Sequence, residues 1–156
     1  MVTSDPIPPT ETQAVALAHE AEIGPLIGII VGSQSDLEHI EPAQTILRDA
    51  GVPIETTVMS SHREPEKVAS YCKGARGRGL RVIIAGAGLA ASLPGVAAAH
   101  TDLPVIGLPL TSRLTVAGGL DALLSMAQMP PGVPVATVGV DNAKNAAHLA
   151  LRILSI

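Results

Sequence analysis

Two short polar segments of the chain combine the residue types that bind a phosphate and move a proton. Residues 60–63 read Ser-Ser-His-Arg and directly follow an apolar run that ends at Met59. A guanidinium offers a fixed fork of donors to a phosphate, and a histidine that is uncharged near pH 7 can accept a proton and return it. We therefore expect Arg63 to bind an anion beside His62, the acid/base group, with Ser60 and Ser61 supplying hydroxyls.

The second polar segment, residues 32–36, reads Gly-Ser-Gln-Ser-Asp and lies between another apolar run and a helical pattern. Free N–H groups at a helix start, together with two hydroxyls, suit a phosphate. The Asp36 carboxylate would repel a phosphate but can accept hydrogen bonds from ribose hydroxyls. An ordinary polar turn with Ser35 as helix N-cap fits the same pattern equally well. The candidate binding residues here are Gly32, Ser33, Ser35 and Asp36.

A third segment, residues 86–95, is rich in glycine and alanine. Small residues let a ligand approach the backbone closely, and Gly88, Ser92 and Leu93 are the candidate binding residues. Small residues also serve helix–sheet packing, so this segment taken alone is a weak indication of a site.

The other chemically active side chains favour no metal or cofactor. The remaining histidines are His19, His39, His100 and His148. Their spacing matches no metal-ligand pattern, so we predict no metal site. Cys72 shares a helix face with Val68 and Ala75, which favours core packing over nucleophilic chemistry. Because the chain has one Tyr and no Trp or Phe, a stacked flavin is also disfavoured, and we predict no cofactor.

The elements that would position these segments follow from five short apolar runs, each of strand length and bounded by Gly, Pro or polar residues. The runs are Leu26–Val31, Ile54–Met59, Arg81–Ala85, Val105–Leu108 and Val135–Val138. Helical patterns lie near residues 36–50, 65–77, 93–101, 119–129 and 142–154. This alternation predicts an α/β three-layer sandwich with a five-stranded parallel sheet in the flavodoxin-like order 2-1-3-4-5. Ligands bind at the carboxyl edge of such a sheet.

Local signals mark the helix starts. Ser35 with Glu38 has the spacing of a capping box, and Pro65 and Pro94 fall where first-turn prolines are tolerated. Pro42 lies about two turns inside a helix that starts at Ser35 and would cost roughly 3 kcal/mol in an unbroken helix. We therefore expect this helix either to kink at Pro42 or to begin later.

Composition restricts the class of protein. The 156 residues are 47% hydrophobic and 15% charged, which is typical of one globular domain. The net charge of -4 argues against a nucleic-acid partner, and no apolar run reaches the roughly 18 residues that span a bilayer. The sole cysteine and the absence of a basic start indicate a cytoplasmic protein with no membrane partner. Because few charges cover the surface, we expect apolar faces to be buried in a homo-oligomer.

The chain divides into an extension and a single domain. Residues 1–25 read as an N-terminal extension, a tail followed by a short helix over Thr10 to Glu22. Residues 26–156 contain all five strand patterns and all three polar segments, so we predict that they form one catalytic domain.

Five motifs, in this order along the chain, resemble those of the PurE family. They are Gly-Ser-x-Ser-Asp, Ser-x-His-Arg, Ala-Gly-Ala-Gly with Leu-Pro-Gly, Leu-Pro-Val-Ile-Gly, and Gln-Met-Pro-x-Gly-Val-Pro-Val-Ala-Thr-Val. The likeness extends from about Leu26 to Leu154. Members of this family are N5-carboxyaminoimidazole ribonucleotide mutases and aminoimidazole ribonucleotide carboxylases of purine synthesis.

The resemblance implies a substrate, a mechanism and an assembly. Family residues that match Ser33, Ser35, Asp36 and Arg63 hold the phosphate and ribose of the ribonucleotide. The histidine that matches His62 is the general acid/base at the imidazole C4. In the mutase reaction a carbamate releases CO2 inside the closed site, C4 attacks that CO2, and the histidine removes the C4 proton. No metal, biotin or nucleoside triphosphate takes part, and the family is usually a homo-octamer with sites between subunits.

Two residues depart from the family pattern. The bacterial mutase loop is Gly-Ala-Gly-Gly-Ala-Ala-His-Leu-Pro-Gly, whereas here Leu89 replaces the second Gly of the pair and Ser92 replaces the His. The Arg-Ser-Asn type of loop, found in carboxylases that use free CO2, is also absent. The resemblance therefore leaves the carboxyl donor open between the carbamate and free CO2.

Three functions remain from the sequence. The leading hypothesis is carboxyl transfer on aminoimidazole ribonucleotide. The second is a (de)carboxylase of the same scaffold that acts on a different carboxylated nucleotide in a specialised pathway, which Leu89 and Ser92 favour. The third is a non-catalytic nucleotide-binding paralogue, and the presence of His62 argues against it because a binder needs no base there.

Overall fold

The computed structural model describes residues 24–155 as one alternating series of strands and helices. The strands are β1 (Ile27–Val31), β2 (Ile54–Val58), β3 (Val82–Gly88), β4 (Val105–Leu110) and β5 (Ala136–Thr137). The α-helices are α1 (Leu37–Asp49), α2 (Pro65–Ala75), α3 (Leu93–Ala99), α4 (Leu120–Ala127) and α5 (Ala143–Leu154). Short 3-10 turns cover Gln34–Asp36, Arg76–Arg78 and Ala117–Gly119. The helix predicted over Thr10 to Glu22 lies outside the described residues.

All five strands pair in parallel, in the order β2-β1-β3-β4-β5. This confirms the predicted flavodoxin-like sheet. Val31, the last residue of β1, is in register with Val58 of β2 and with Gly86 of β3. The carboxyl ends of these three strands are therefore neighbours, and the three polar segments that follow them begin side by side.

Two apolar layers cover the sheet because side chains alternate along each strand. In β1, Ile30 points to the layer that contains α2, α3 and α4, whereas Ile29 and Val31 point to the layer that contains α1 and α5. Cys72 is buried in the first layer together with Val68 and Ala75, as the helix-face argument predicted. Among residues 24–155, no helix is long and apolar enough to cross a membrane.

The start of α1 differs from the predicted capping box. The Ser33 side chain, not that of Ser35, accepts the capping hydrogen bond, because a 3-10 turn precedes the α-helix. The α-helix then begins at Leu37, and the side chain of its N-cap residue, Asp36, makes no capping hydrogen bond. This later start was one of the two expected outcomes, yet Pro42 still lies inside the continuous helix. The predicted first-turn prolines of α2 and α3 are confirmed.

Two strands differ in length from their apolar runs. β3 continues to Gly88 because Ala87 and Gly88 pair with Pro109 and Leu110 at the end of β4. β5 is confined to two residues, which pair with Ile106 and Gly107 at the edge of the sheet. The extended β3 brings Gly88 to the carboxyl edge, beside the other polar segments.

Candidate active site

The three polar segments predicted from the sequence meet at the carboxyl edge of β1, β2 and β3. The Arg63 Nη2 atom donates a hydrogen bond of 2.9 Å to the Gly32 carbonyl, which joins the loop after β2 to the loop after β1. Ser61 and Ser92 are joined by a hydroxyl–hydroxyl bond of 2.7 Å, which links the loops after β2 and β3. The structure therefore brings the acid/base candidate and the phosphate-binding candidates to one place.

The loop after β1 forms a tight turn lined by hydroxyls. The Ser35 hydroxyl lies 3.0 Å from Ser33 Oγ and 3.4 Å from Asp36 Oδ1. The Ser35 backbone N–H also donates to Ser33 Oγ, at 3.4 Å. In this loop Ser35 is exposed, and Ser33 and Asp36 are half-buried. Two hydroxyls and a carboxylate are thus fixed within one turn at the mouth of the site.

The Asp36 carboxylate sits in a partly desolvated position. Burial raises the pKa of Asp36 above its usual value, because the charged form loses water. Hydrogen bonds from Ser35 and the Ser33 backbone, and the nearby His39 and Arg63, act in the opposite direction. A partly desolvated carboxylate is a strong acceptor for a ligand hydroxyl. The sequence analysis suggested this role for Asp36, as an acceptor from ribose hydroxyls.

The Ser60–Glu64 turn holds His62 and Arg63 at the end of β2. The Ser60 hydroxyl accepts a bond of 3.3 Å from the Arg63 backbone N–H, and the Ser60 carbonyl accepts one of 2.8 Å from Glu64 N. Glu64 Oε2 in turn accepts a 3.5 Å bond from Ser60 N. Ser60 is buried, at 8% exposure, and its hydroxyl stabilises this turn while its own proton is left to donate.

His62 is exposed at the site, and one nitrogen of its ring is held by a hydrogen bond. Its Nε2 atom lies 2.9 Å from the Ser92 hydroxyl, which is itself bonded to Ser61. Sequence reasoning named Ser92 as a binding candidate and Ser61 as a neighbouring hydroxyl, but it did not predict the bond between them.

The loop after β3 contributes backbone more than side chains. A Cβ atom on Gly88 would lie 2.9 Å from the Leu110 carbonyl oxygen, so only glycine fits there. Leu89 has a φ of 56° and is 40% exposed. Leu93 was predicted to bind substrate; in this chain the residue is 1% exposed and its side chain belongs to the core.

A second polar cluster, which the sequence did not indicate, lies near the same edge of the sheet. The Asp141 carboxylate accepts hydrogen bonds from Thr111 N at 2.9 Å and from the Thr111 hydroxyl at 2.5 Å. His39 Nδ1 lies 3.2 Å from Asp141 Oδ1. An adjacent hollow of about 330 Å³ is lined by Pro42, Val140, Asp141, Asn142, Ala143 and Lys144. The cluster ties α1 to the loops after β4 and β5.

Residues 24–155 contain no group of three or more His, Cys, Asp or Glu side chains placed to hold a metal ion. Arg63 and His62 are the cationic and the proton-transfer candidates on the loop after β2.

Comparison with known proteins identifies the family. A family model described as AIR carboxylase matches residues 26–156. The chain belongs to the PurE family of AIR carboxylases. The resemblance seen in the five sequence motifs is therefore confirmed.

Individual relatives agree with this assignment. The chain is 59% identical over 132 residues to the N5-carboxyaminoimidazole ribonucleotide mutase of Pyrococcus horikoshii, which covers 85% of this chain and 73% of the relative. It is 50% identical over 148 residues to the phosphoribosylaminoimidazole carboxylase of Saccharomyces cerevisiae, with 95% of this chain but 26% of the relative covered. The crystal structure of Treponema denticola PurE matches with a TM-score of 0.73 and 31% identity, over 84% of this chain and 80% of that one.

Proposed function

We propose that this PurE-family chain converts N5-carboxyaminoimidazole ribonucleotide to 4-carboxyaminoimidazole ribonucleotide in purine biosynthesis. The observation that carries the proposal is the position of His62 beside the phosphate-binding candidates at one sheet edge. Relatives that this chain covers over most of their length, at 59% and 54% identity, bear the mutase name.

In this proposal Ser33, Ser35 and Arg63 hold the phosphate, and Asp36 accepts the ribose hydroxyls. Arg63 uses one N–H on the Gly32 carbonyl, which fixes the guanidinium and leaves other donors for the ligand. The hydroxyls of the loop after β1 lie on the same side, at the strand end next to β2. A phosphate placed between the two loops positions the imidazole ring of the ribonucleotide toward His62.

The chemistry requires one base and no external redox partner. The C–N bond of the carbamate breaks, giving CO2 and an amine whose nitrogen gains a proton. C4 of the imidazole then forms a C–C bond to that CO2 and loses its proton to His62. One proton is gained and one is lost, so the reaction is an isomerisation with no net proton change, and return of the proton resets His62.

The carbamate is the donor that the comparisons favour. The mutase relatives are matched over 73–82% of their length, whereas the two fungal carboxylases are matched over only 26% and 23%. This chain therefore corresponds in extent to the mutases and to a part of the fungal proteins.

An isotope experiment tests the proposal. The purified protein is given substrate with ¹³C in the N5-carboxylate, in the presence of unlabelled bicarbonate, and the product is followed by ¹³C NMR. Transfer of the label to the C4 carboxylate supports the mutase. Unlabelled product that depends on bicarbonate would overturn the choice of donor, and no product from either the carbamate or aminoimidazole ribonucleotide plus bicarbonate would overturn the proposed function.

We further propose that the working form is a cytoplasmic homo-oligomer, an octamer by family analogy, built from a catalytic domain over residues 26–156. Its partners are the ribonucleotide and CO2. Support comes from an apolar surface formed by the segment before α4 and by α4 itself. Its large exposed side chains are Leu114, Val116, Leu120 and Leu124. Leu114 and Val116 are 76% and 65% exposed, and a subunit contact would cover them.

A further inference from the structure

Ser61, Ser92 and His62 form a continuous row of hydrogen-bonding atoms. Ser61 Oγ lies 2.7 Å from Ser92 Oγ, which lies 2.9 Å from His62 Nε2. The two serines come from different loops, after β2 and before α3, so the row depends on the docking of both loops. In the family pattern a histidine stands at the position of Ser92, and a pair of hydroxyls takes its place in this chain.

The hydrogens of the row differ in whether Ser92 donates to His62 or accepts from it. Each hydroxyl carries one hydrogen and can accept two others. In the first case Ser61 donates to Ser92 and Ser92 donates to His62 Nε2. In the second case Nε2–H donates to Ser92, and either hydroxyl can donate to the other. When His62 is protonated both ring nitrogens carry hydrogen, so only the second case keeps the bond between Ser92 and His62.

A base that must gain and lose a proton reacts with least rearrangement if its surroundings suit both forms. With Nε2–H already donated to Ser92, Nδ1 has a free lone pair, and protonation at Nδ1 leaves both hydroxyls as they were. If Nε2 were the reacting nitrogen, the substrate would first have to displace the Ser92 hydroxyl from its 2.9 Å bond.

We propose that Ser92, held by Ser61, is a positioning residue that accepts the Nε2–H of His62 and so makes Nδ1 the nitrogen that exchanges the proton with substrate. The inference deepens the proposed function and rests on it for the identity of the reaction. It concerns only the serines of this chain and the ring that they anchor.

The charged groups on the loops around His62 do not take over this role. Arg63 and Glu64 are on its own loop, where Arg63 donates to Gly32 and Glu64 bonds Lys67 and Ser60. Asp36 is on the neighbouring loop, bonded to Ser35. Among the described residues, the hydrogen bond of the His62 ring is the one with Ser92, so loss of that hydroxyl removes the anchor.

The test compares Ser92→Ala, Ser92→Thr and Ser61→Ala with wild type. Removal of the acceptor for Nε2–H should mix the two tautomers of the His62 ring. The carbon shifts of ¹³C-labelled histidine rings report the tautomer in the ligand-free protein, with the His62 signal assigned by its loss in His62→Asn. We expect Ser92→Ala to lower kcat about 5- to 10-fold, the size of one neutral hydrogen bond, with KM within about twofold. Ser92→Thr, which keeps the hydroxyl, should restore both readouts.

Ser155→Ala serves as the matched control, because that hydroxyl bonds only the Arg152 carbonyl at the end of α5. Ser61→Ala should mix the His62 tautomers in the same direction as Ser92→Ala but by less. An unchanged His62 tautomer in Ser92→Ala would overturn the inference, as would an Nδ1–H tautomer in wild type. Because the NMR readout needs no substrate, it remains decisive even if the proposed reaction proves wrong.

Discussion

At the residue scale, Arg63 connects two loops, and in the proposed function it also offers donors to a phosphate. Arg63→Lys keeps the charge but loses the planar fork, and a single ammonium cannot hold the Gly32 carbonyl and a phosphate in the same geometry. We expect affinity for the ribonucleotide to fall by roughly 10-fold or more, the effect of one charge-assisted bond. Calorimetry with the ribonucleotide and its dephosphorylated nucleoside measures this, and an equal loss for both ligands would show that Arg63 does not bind the phosphate.

Asp36 illustrates a residue whose charge is unfavourable to the fold. Because burial raises its pKa, Asp36 contributes stability below the unfolded value of about 3.9, and that contribution is lost as pH rises through the folded value. Asp36→Asn should therefore raise the thermal midpoint of the ligand-free protein at pH 7 and weaken ribonucleotide binding. The gain should shrink as pH falls toward 4, which a series of melts at fixed protein concentration will measure.

Asp102 provides a control of opposite sign. Its carboxylate accepts a 3.0 Å bond from Arg76, which holds the pKa of Asp102 below its usual value. Asp102→Asn should therefore lower the midpoint at neutral pH and lose its effect as the pH falls. If Asp36→Asn behaved in the same way as Asp102→Asn, the assignment of Asp36 as a partly desolvated ligand group would be wrong.

At the element scale, the end of β3 limits which residues can stand beside the site. A Cβ on Gly88 would lie 2.9 Å from the Leu110 carbonyl of β4, a backbone atom that cannot move without breaking the strand pair. At Gly86 the nearest atoms are side-chain methyl groups of Leu110 and Val31, at 3.3 Å. Gly88→Ala should therefore cost about 1–3 kcal/mol and Gly86→Ala less. Chemical unfolding at matched concentrations compares them, and equal losses would contradict this explanation.

Elements were predictable where one segment determines its own structure. The apolar runs predicted all five strands, and alternation with helices predicted the sheet order that the structure shows. The predicted strand boundaries were wrong where pairing with a neighbouring strand determines them. β3 extends to Gly88 because its last residues pair with β4. The first turn is capped by Ser33 and not by the predicted Ser35, because a 3-10 turn stands where a helical turn was expected.

The site was predictable in part for a related reason. Its three loops follow adjacent strands, so topology alone placed His62, Arg63 and the loop after β1 together. The bond between Ser61 and Ser92 spans 31 positions, and that between Thr111 and Asp141 spans 30. Partners at such separations depend on loop conformations that no local pattern specifies. The burial of Leu93 was not predicted, because a residue beside a site can still face the core.

At the scale of the whole molecule, the proposed oligomer places its subunit contacts on the apolar surface around α4. Leu120 and Leu124 are 45% and 46% exposed on one helix, next to the still more exposed Leu114 and Val116. Leu120→Glu would place a charge in a buried interface, a strongly unfavourable change, so we expect smaller species by light scattering at micromolar concentration. Ser70→Glu adds the same charge at an exposed position of α2 and should leave the assembly intact. A monomeric wild type would contradict the proposed oligomer.

In the proposed reaction, His62 moves the proton while a carboxylate passes from nitrogen to carbon within one site. The most direct measurement is ¹³C transfer from the labelled N5-carboxylate to C4, in wild type and in His62→Asn. Asn can still bond Ser92 but cannot carry the proton, a loss of roughly 10²–10⁴-fold or more in rate. We predict label transfer by wild type and none detectable in the variant, with circular dichroism and ribonucleotide affinity unchanged. A folded His62→Asn protein that transfers the label at near the wild-type rate would contradict the account.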